Sequence, residues 1–164
     1  MQRIGWQGVM IQMFNHGINV IGLWIVASAI EQQTGTRKLS ELGGLATKAP
    51  VLAIMFMIMT LANVALPLTN AFIGEFLMFN GLFRYHIWAA VIPLFSIILV
   101  AVYSLGAMGK IFYGETSAYT TNAAEAPKYV NFTLGVIVLL VIILGIYPQP
   151  VLHLAQDTIS AVLK

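Results

Sequence analysis

The sequence predicts an all-α, polytopic transmembrane bundle of about four spans, organised as a single membrane domain over residues 1–164. Two observations lead to this prediction. Of the 164 residues, 59% are hydrophobic and only 9% are charged, whereas a soluble domain carries about 25% charged residues. The apolar residues also form several stretches close to the roughly 20 residues that a helix needs to cross the hydrocarbon core. Such a surface suits lipid rather than water.

The predicted spans follow from these apolar stretches in chain order. The first covers Gly8 to Ile30, the third covers Ile87 to Phe112, and the fourth covers Tyr129 to Ile146. Prolines follow the fourth span, and beyond them Val151 to Leu163 has apolar residues at helical spacing. That last stretch is predicted to be a short amphipathic helix lying along the membrane interface. The polar connections after the first and third spans contain or flank five of the eight lysine and arginine residues, which places these connections on the inner side.

The second predicted span is broken. It runs from Pro50 to Phe83, which is too long for one straight crossing, and Pro67 lies inside it. Proline has no N–H and clashes with the carbonyl one turn earlier, so the helix is expected to break there. The second half-helix should begin near Asn70 or Ala71. A side-chain cap would come from Thr69 or Asn70.

Glu75, shortly after the break, is the first candidate for function, because apolar residues flank it on both sides. A charge at the membrane centre costs about 2.5–3.5 kcal/mol on insertion scales, so such residues are functional by default. Burial penalises the ionised carboxylate. Glu75 also lies about one turn inside the predicted second half-helix, whose positive N-terminal end stabilises the ionised form. A carboxyl that can gain and lose a proton suits a proton relay. The alternative is an ion pair with a basic residue on another helix, which would only orient the bundle.

Two further titratable groups are candidates for the same relay. His16 lies in the first span close to Gln12, Asn15 and Asn19. Imidazole titrates near physiological pH, so His16 is either a relay group or an interhelical hydrogen-bonding residue, and its combination with Glu75 favours the relay. Lys110 lies near the end of the third span, and the favoured interpretation is that its side chain extends to the membrane–water interface. An exit-side proton carrier is the alternative for Lys110.

Several chemistries are excluded by what the sequence lacks. There is no cysteine, so disulfides, thiolate metal sites and cysteine nucleophiles are ruled out. Phosphate-binding, dinucleotide-binding, zinc-protease and serine-hydrolase motifs are missing as well. The formal net charge of +2 gives no reason to expect a nucleic-acid partner. No site for NADH, a flavin or an iron–sulfur cluster is therefore expected in this chain.

Short motifs in the first half of the chain resemble a known family. They are Gln12-Met13, His16-Gly17, Thr36-Arg37, Gly43-Gly44-Leu45, Asn63-Val64-Ala65-Leu66-Pro67 and Phe72-Ile73-Gly74-Glu75-Phe76. Together they look like the C-terminal part of subunit M of proton-pumping NADH:quinone oxidoreductase, respiratory complex I. The L and N subunits and related cation/proton antiporter chains carry lysine where this chain has Glu75, so the carboxylate indicates the M type. One departure is Ala65, where the family usually has glycine.

The resemblance implies a function and its partners. His16 matches the histidine of the family's central hydrophilic axis, and Glu75 matches the terminal carboxylate beside the broken helix. The chain is then expected to take part in proton translocation in the membrane arm of the complex, in a bacterial inner membrane, beside L- and N-type subunits. NADH, FMN, iron–sulfur clusters and quinone are expected on other subunits. The alternatives are a monovalent cation/proton antiporter subunit and a membrane assembly module without transport.

Overall fold

The computed structural model describes residues 2–162, and all of their regular structure is helical. The helices are α1 (Gln2–Thr34), α2 (Pro50–Asn63), α3 (Asn70–Tyr85), α4 (Ile87–Phe112), α5 (Lys128–Ile146) and α6 (Gln149–Val162), with a 3-10 turn at Leu45–Thr47. Three of them, α1, α4 and α5, are long and apolar enough to cross a membrane, and α2 is a shorter apolar helix. The predicted all-α class is confirmed, and the chain is a multi-pass membrane protein.

The helix bounds agree with the apolar stretches except in α1. Helix α1 is longer than the predicted span at both ends, because the polar residues on either side of the apolar stretch are helical too. The helix continues as far as Thr34 and is terminated by Gly35. Gly35 has a left-handed φ of 72°, and its N–H donates to the Glu31 carbonyl over 2.7 Å. A left-handed glycine just after the last turn is a common helix terminator.

The break in the second span is confirmed. Helix α2 ends at Asn63 and α3 begins at Asn70, so Pro67 lies in the connecting segment 64–69. Two residues of this segment that are not glycine have left-handed backbones, Ala65 with a φ of 59° and Leu68 with a φ of 76°. That conformation costs an L-residue roughly 1–2 kcal/mol. The break therefore combines backbone strain at Ala65 and Leu68 with the loss of the hydrogen bond that the Pro67 nitrogen cannot donate.

The described residues fall into two compact units. Unit 1 takes its residues from Met1–Asn19, Leu61–Val100 and Leu140–Lys164, and unit 2 consists of Val20–Thr60 and Ala101–Leu139. Helices α1, α2, α4 and α5 each contribute to both units. The single-domain organisation over 1–164 stays a prediction.

Unit 2 contains an apolar cluster beneath two polar connections. Leu45, Leu52, Phe112 and Leu134 are among its fully buried members. The connections are held together by hydrogen bonds from side-chain hydroxyls to main-chain carbonyls, each 2.6 Å long, from Ser117 to Glu41 and from Thr120 to Gly43. The carboxylate of Glu125 accepts from the N–H groups of Val51 and Leu52 at the start of α2, over 2.8 and 3.2 Å. These bonds fix the loops against the first turn of α2.

Candidate functional site

Helices α1 and α3 approach each other closely in unit 1 because glycines face glycines or backbone. A Cβ added at Gly81 would lie 2.7 Å from the Cα of Gly5, and one added at Gly8 would lie 2.6 Å from the N of Met78. A Cβ on Gly74 would overlap the side chain of Gln12. Small residues at such contacts let membrane helices pack backbone to backbone. This packing brings the side chains of α1 against the break and the first turns of α3.

Gln12 is the α1 residue that contacts Glu75. Its Nε2 donates to Oε1 of Glu75 over 3.5 Å. Glu75 lies in the second turn of α3 and is half-buried. Since an ionised carboxylate can only accept hydrogen bonds, the amide N–H is the matching donor.

Asn15 joins α1 to the first residue of α3. Its Nδ2 donates to the main-chain carbonyl of Asn70 over 2.7 Å, and Nδ2 of Asn70 donates back to the carbonyl of Asn15 over 3.4 Å. Both residues are fully buried. Two reciprocal hydrogen bonds therefore fix the start of the second half-helix to the middle of α1.

Asn19 makes a similar contact with the end of the first half-helix. Its Nδ2 donates to the Ala62 carbonyl over 3.4 Å. Three carboxamides of α1 thus contact the broken span at successive points. Gln12 contacts the second turn of α3, Asn15 contacts the start of α3, and Asn19 contacts the end of α2. The side-chain carbonyl oxygen of each is buried and has no hydrogen-bond donor among the described residues. Buried polar atoms are normally paired, so this row of carboxamides differs from ordinary interhelical packing.

The cap at the start of α3 differs from the sequence prediction in one respect. Thr69 occupies the N-cap position, but its side chain makes no capping hydrogen bond. Its hydroxyl instead donates backward to the Leu66 carbonyl over 2.6 Å. Asn70 provides the local acceptor, because its Oδ1 receives the N–H of Ala71 over 2.8 Å.

Helix α5 packs directly on the break. A Cβ added at Gly145 would overlap the Leu68 carbonyl and would lie 2.6 Å from the carbonyl carbon of Thr69. The obstacle is backbone, which cannot rotate away as a flexible side chain would. Glycine at position 145 is therefore required by this close approach.

The other side of Glu75 faces an apolar cavity of about 270 Å³. Its other lining residues are Val64, Ala65, Phe72, Phe76, Phe79, Leu94 and Ile97. None of these side chains carries charge. The carboxyl therefore lies between one amide donor and an apolar wall.

Of the predicted relay residues, Glu75 and His16 belong to unit 1 and are not bonded to each other. His16 lies one helical turn beyond Gln12 on α1, but its side chain is exposed. Lys110 is exposed near the end of α4 and belongs to unit 2. Among the described residues, the hydrogen-bond partner of the Glu75 side chain is Gln12.

Only part of this site could be predicted from the sequence. Gln12, Asn15 and Asn19 were recognised as polar neighbours of His16, and Asn70 as a possible cap. Their spacing of three and four residues places them along one face of α1, so their common direction was readable. Their bonding to Glu75, Asn70 and Ala62 was not, because it depends on how α1 packs on a broken span.

The chain is similar to membrane subunits of respiratory enzymes and antiporters. A family model described as "NADH:quinone oxidoreductase/Mrp antiporter, TM" matches residues 1–102. NADH-quinone oxidoreductase subunit M of Rickettsia prowazekii is 32% identical over 161 residues, or 98% of this chain and 33% of the relative. The chain therefore spans about one third of the length of the curated relatives it matches.

Two solved structures share the fold. One is respiratory complex I from Thermus thermophilus with bound NADH, with a TM-score of 0.82, 26% identity, and coverage of 98% of this chain and 35% of that one. The other is the Mrp complex from Dietzia sp., with a TM-score of 0.86 and 18% identity, covering 96% of this chain and 38% of that one. At this identity the second likeness concerns the fold alone.

Proposed function

The chain belongs to the NADH:quinone oxidoreductase/Mrp antiporter transmembrane family, and from this premise we propose that it carries protons in the membrane arm of an NADH:quinone oxidoreductase. Glu75 is the proposed proton-carrying group. The observation that supports it most is the placement of this half-buried carboxyl beside a strained helix break, with one amide donor and an apolar wall around it. An ionisable group in such a place is expensive to maintain in a membrane, which favours a function over packing.

His16 and Lys110 complete the proposed path. His16 is exposed on α1 one turn from Gln12, so its imidazole can exchange protons with groups of neighbouring subunits. We assign to His16 the proton transfer on the side of Glu75 away from the exit. An imidazole can accept a proton at one nitrogen and release one from the other. Lys110, exposed near the end of α4, is the proposed carrier on the exit side.

The redox chemistry is proposed to belong to other subunits. The chain contains no cysteine and so supplies no thiolate ligand for an iron–sulfur cluster. NADH, FMN and quinone are likewise proposed to bind elsewhere in the complex. The proposed partners are L- and N-type membrane subunits, and the proposed location is a bacterial inner membrane.

The deciding experiment replaces Glu75 by Gln in the complete complex reconstituted in liposomes, and measures protons moved per electron transferred. Moving one charge against 100 mV requires about 2.3 kcal/mol, so a carrier that cannot ionise should not sustain the load. We expect the ratio to fall while assembly is retained. The matched control is Glu115→Gln, an exposed glutamate in the loop after α4, which should leave the ratio unchanged. An unchanged ratio in Glu75→Gln would refute the proposal.

A monovalent cation/proton antiporter subunit is the second candidate, since the matching family includes Mrp antiporters. It predicts that a sodium gradient drives proton movement through the chain without electron transfer. The third candidate, an assembly module without transport, predicts that Glu75→Gln lowers the amount of assembled complex but not the proton ratio of what remains. The same reconstituted vesicles distinguish all three outcomes.

A further inference from the structure

We infer that Gln12 is a positioning residue whose side-chain amide turns over each time Glu75 gains or loses its proton. The inference rests on the proposed function, because it takes Glu75 to change protonation state. It assigns to Gln12 a role in both states of the carboxyl rather than in the ionised state alone.

The present orientation of the amide suits an ionised Glu75. Nε2 of Gln12 donates to Oε1 of Glu75, and a carboxylate has only acceptors to offer. The other end of the amide, Oε1 of Gln12, is buried with no donor among the described residues. One amide atom is therefore paired with Glu75 and the other has no partner.

Protonation adds a donor to Glu75. The carboxylate takes up one proton and becomes a carboxylic acid, which keeps acceptor capacity but gains an O–H that the N–H of Gln12 cannot accept. An O–H directed at the apolar cavity wall would have no acceptor there. A half-turn of the amide about its Cγ–Cδ bond brings Oε1 of Gln12 to that O–H. One amide atom is again paired and the other is not. The turn therefore adds no further unpaired buried group and carries no additional desolvation cost of that kind.

The surroundings leave Gln12 as the polar group that can respond. The cavity wall next to Glu75, formed by the break, α3 and α4, is apolar. The nearest titratable group on α1, His16, and the arginine of α3, Arg84, both have exposed side chains. Gly74 provides the room, since a Cβ there would overlap Oε1 of Gln12. A side chain at position 74 would obstruct the turn.

The test uses infrared difference spectroscopy on the intact complex between high and low pH, with glutamine labelled by ¹³C in the side-chain amide. Glu75→Gln identifies the carboxylic C=O band of Glu75 by its disappearance. In the unsubstituted protein we expect a glutamine amide band to change at the same pH as that carboxyl band. In Gln12→Met, a substitution of similar length without hydrogen-bonding atoms, the glutamine change should be lost. The carboxyl band should shift to higher wavenumber, because its O–H has lost an acceptor.

Two further variants keep the inference falsifiable. Gly74→Ala retains glutamine but obstructs the turn, so it should lose the glutamine change as Gln12→Met does. Asn131→Leu removes a half-buried amide of α5 whose Oδ1 also has no partner among the described residues, and it should alter neither band. A carboxyl band that is unchanged in Gln12→Met, or a glutamine band that does not follow Glu75, would overturn the inference. The proton-ratio experiment on Glu75→Gln can fail independently of these bands.

Discussion

Asn15 and Asn70 bind each other's main-chain carbonyls through their side-chain amides, over 2.7 and 3.4 Å, and both residues are fully buried. This reciprocal pair joins α1 to the start of α3 at the point where the second span resumes after its break. Within the break the backbone makes turn-type hydrogen bonds from the N–H groups of Ala65, Leu66 and Thr69. None of these joins the break to α1, so its position against α1 depends on contacts of the asparagine kind.

Removing either amide of the Asn15–Asn70 pair should destabilise unit 1. Asn70→Ala leaves the N–H of Ala71 without its acceptor and breaks the bond to α1, which should cost about 1–3 kcal/mol. Asn15→Ala should cost a similar amount. The measurement is denaturant unfolding in mild detergent, combined as a double-mutant cycle. A coupling of about 0.5 kcal/mol or more is expected for residues in contact, whereas Asn122→Ala, an exposed control, should change nothing.

Ala65→Gly should stabilise the protein. Ala65 has a left-handed φ of 59°, which costs an L-residue roughly 1–2 kcal/mol that glycine avoids. Part of this gain is offset by the greater freedom of glycine in the unfolded chain, so about 0.5–1 kcal/mol should remain. The control Ala101→Gly, in the interior of α4, should have the opposite sign. Equal losses in both variants, measured by unfolding, would contradict strain at Ala65.

Gly145→Ala should destabilise the contact between α5 and the break. The added methyl would overlap the Leu68 carbonyl, and overpacking of this kind typically costs about 1–3 kcal/mol. Gly135→Ala on the same helix is the matched control, since a Cβ there meets nothing within 4 Å. That variant should be neutral or more stable by up to about 1 kcal/mol. Hydrogen exchange of the α3 amides should rise in the first variant and not in the second.

Glu125→Ala should loosen the start of α2. The carboxylate accepts two N–H groups of the first turn, and loss of such a cap costs about 0.5–2 kcal/mol. The amides of Val51 and Leu52 should then exchange faster with solvent. Glu115→Ala, which removes an exposed carboxylate of the same loop, should leave their exchange unchanged.

Acid should weaken the loop that follows α1. Hydrogen bonds from the Thr36 hydroxyl and then from Lys38 hold the pKa of the Glu41 carboxyl below its usual value of 4.5. A carboxyl with a lowered pKa in the folded state stabilises fully above the unfolded value, and the contribution is lost as the pH falls through the folded value. Protection of the loop amides, taken relative to their intrinsic exchange rates at each pH, should therefore fall below about pH 4.5. Thr36→Val should reduce that dependence, and an identical profile in both proteins would exclude this origin.

Two prolines show how far sequence reasoning reached. Pro67 was predicted to break a helix and does, and Pro93 lies inside α4, which was predicted as one unbroken span. The sequence could place the break because its apolar stretch was too long for one span. It could not show that Ala65 and Leu68 turn left-handed, nor that Gly145 on a distant helix packs onto that turn.

The sequence by itself determined the membrane class, the spans, the break and the presence of a carboxylate after it. Each follows from local composition, because lipid requires long apolar helices and makes an isolated charge conspicuous. Only the tertiary structure decided which groups meet that carboxylate. His16 was the expected relay partner of Glu75, whereas Gln12 is the residue bonded to it. The reason is that glycines along α1 and α3 set the rotation and depth of their contact, and a change of one position on a helix turns a side chain by about 100°.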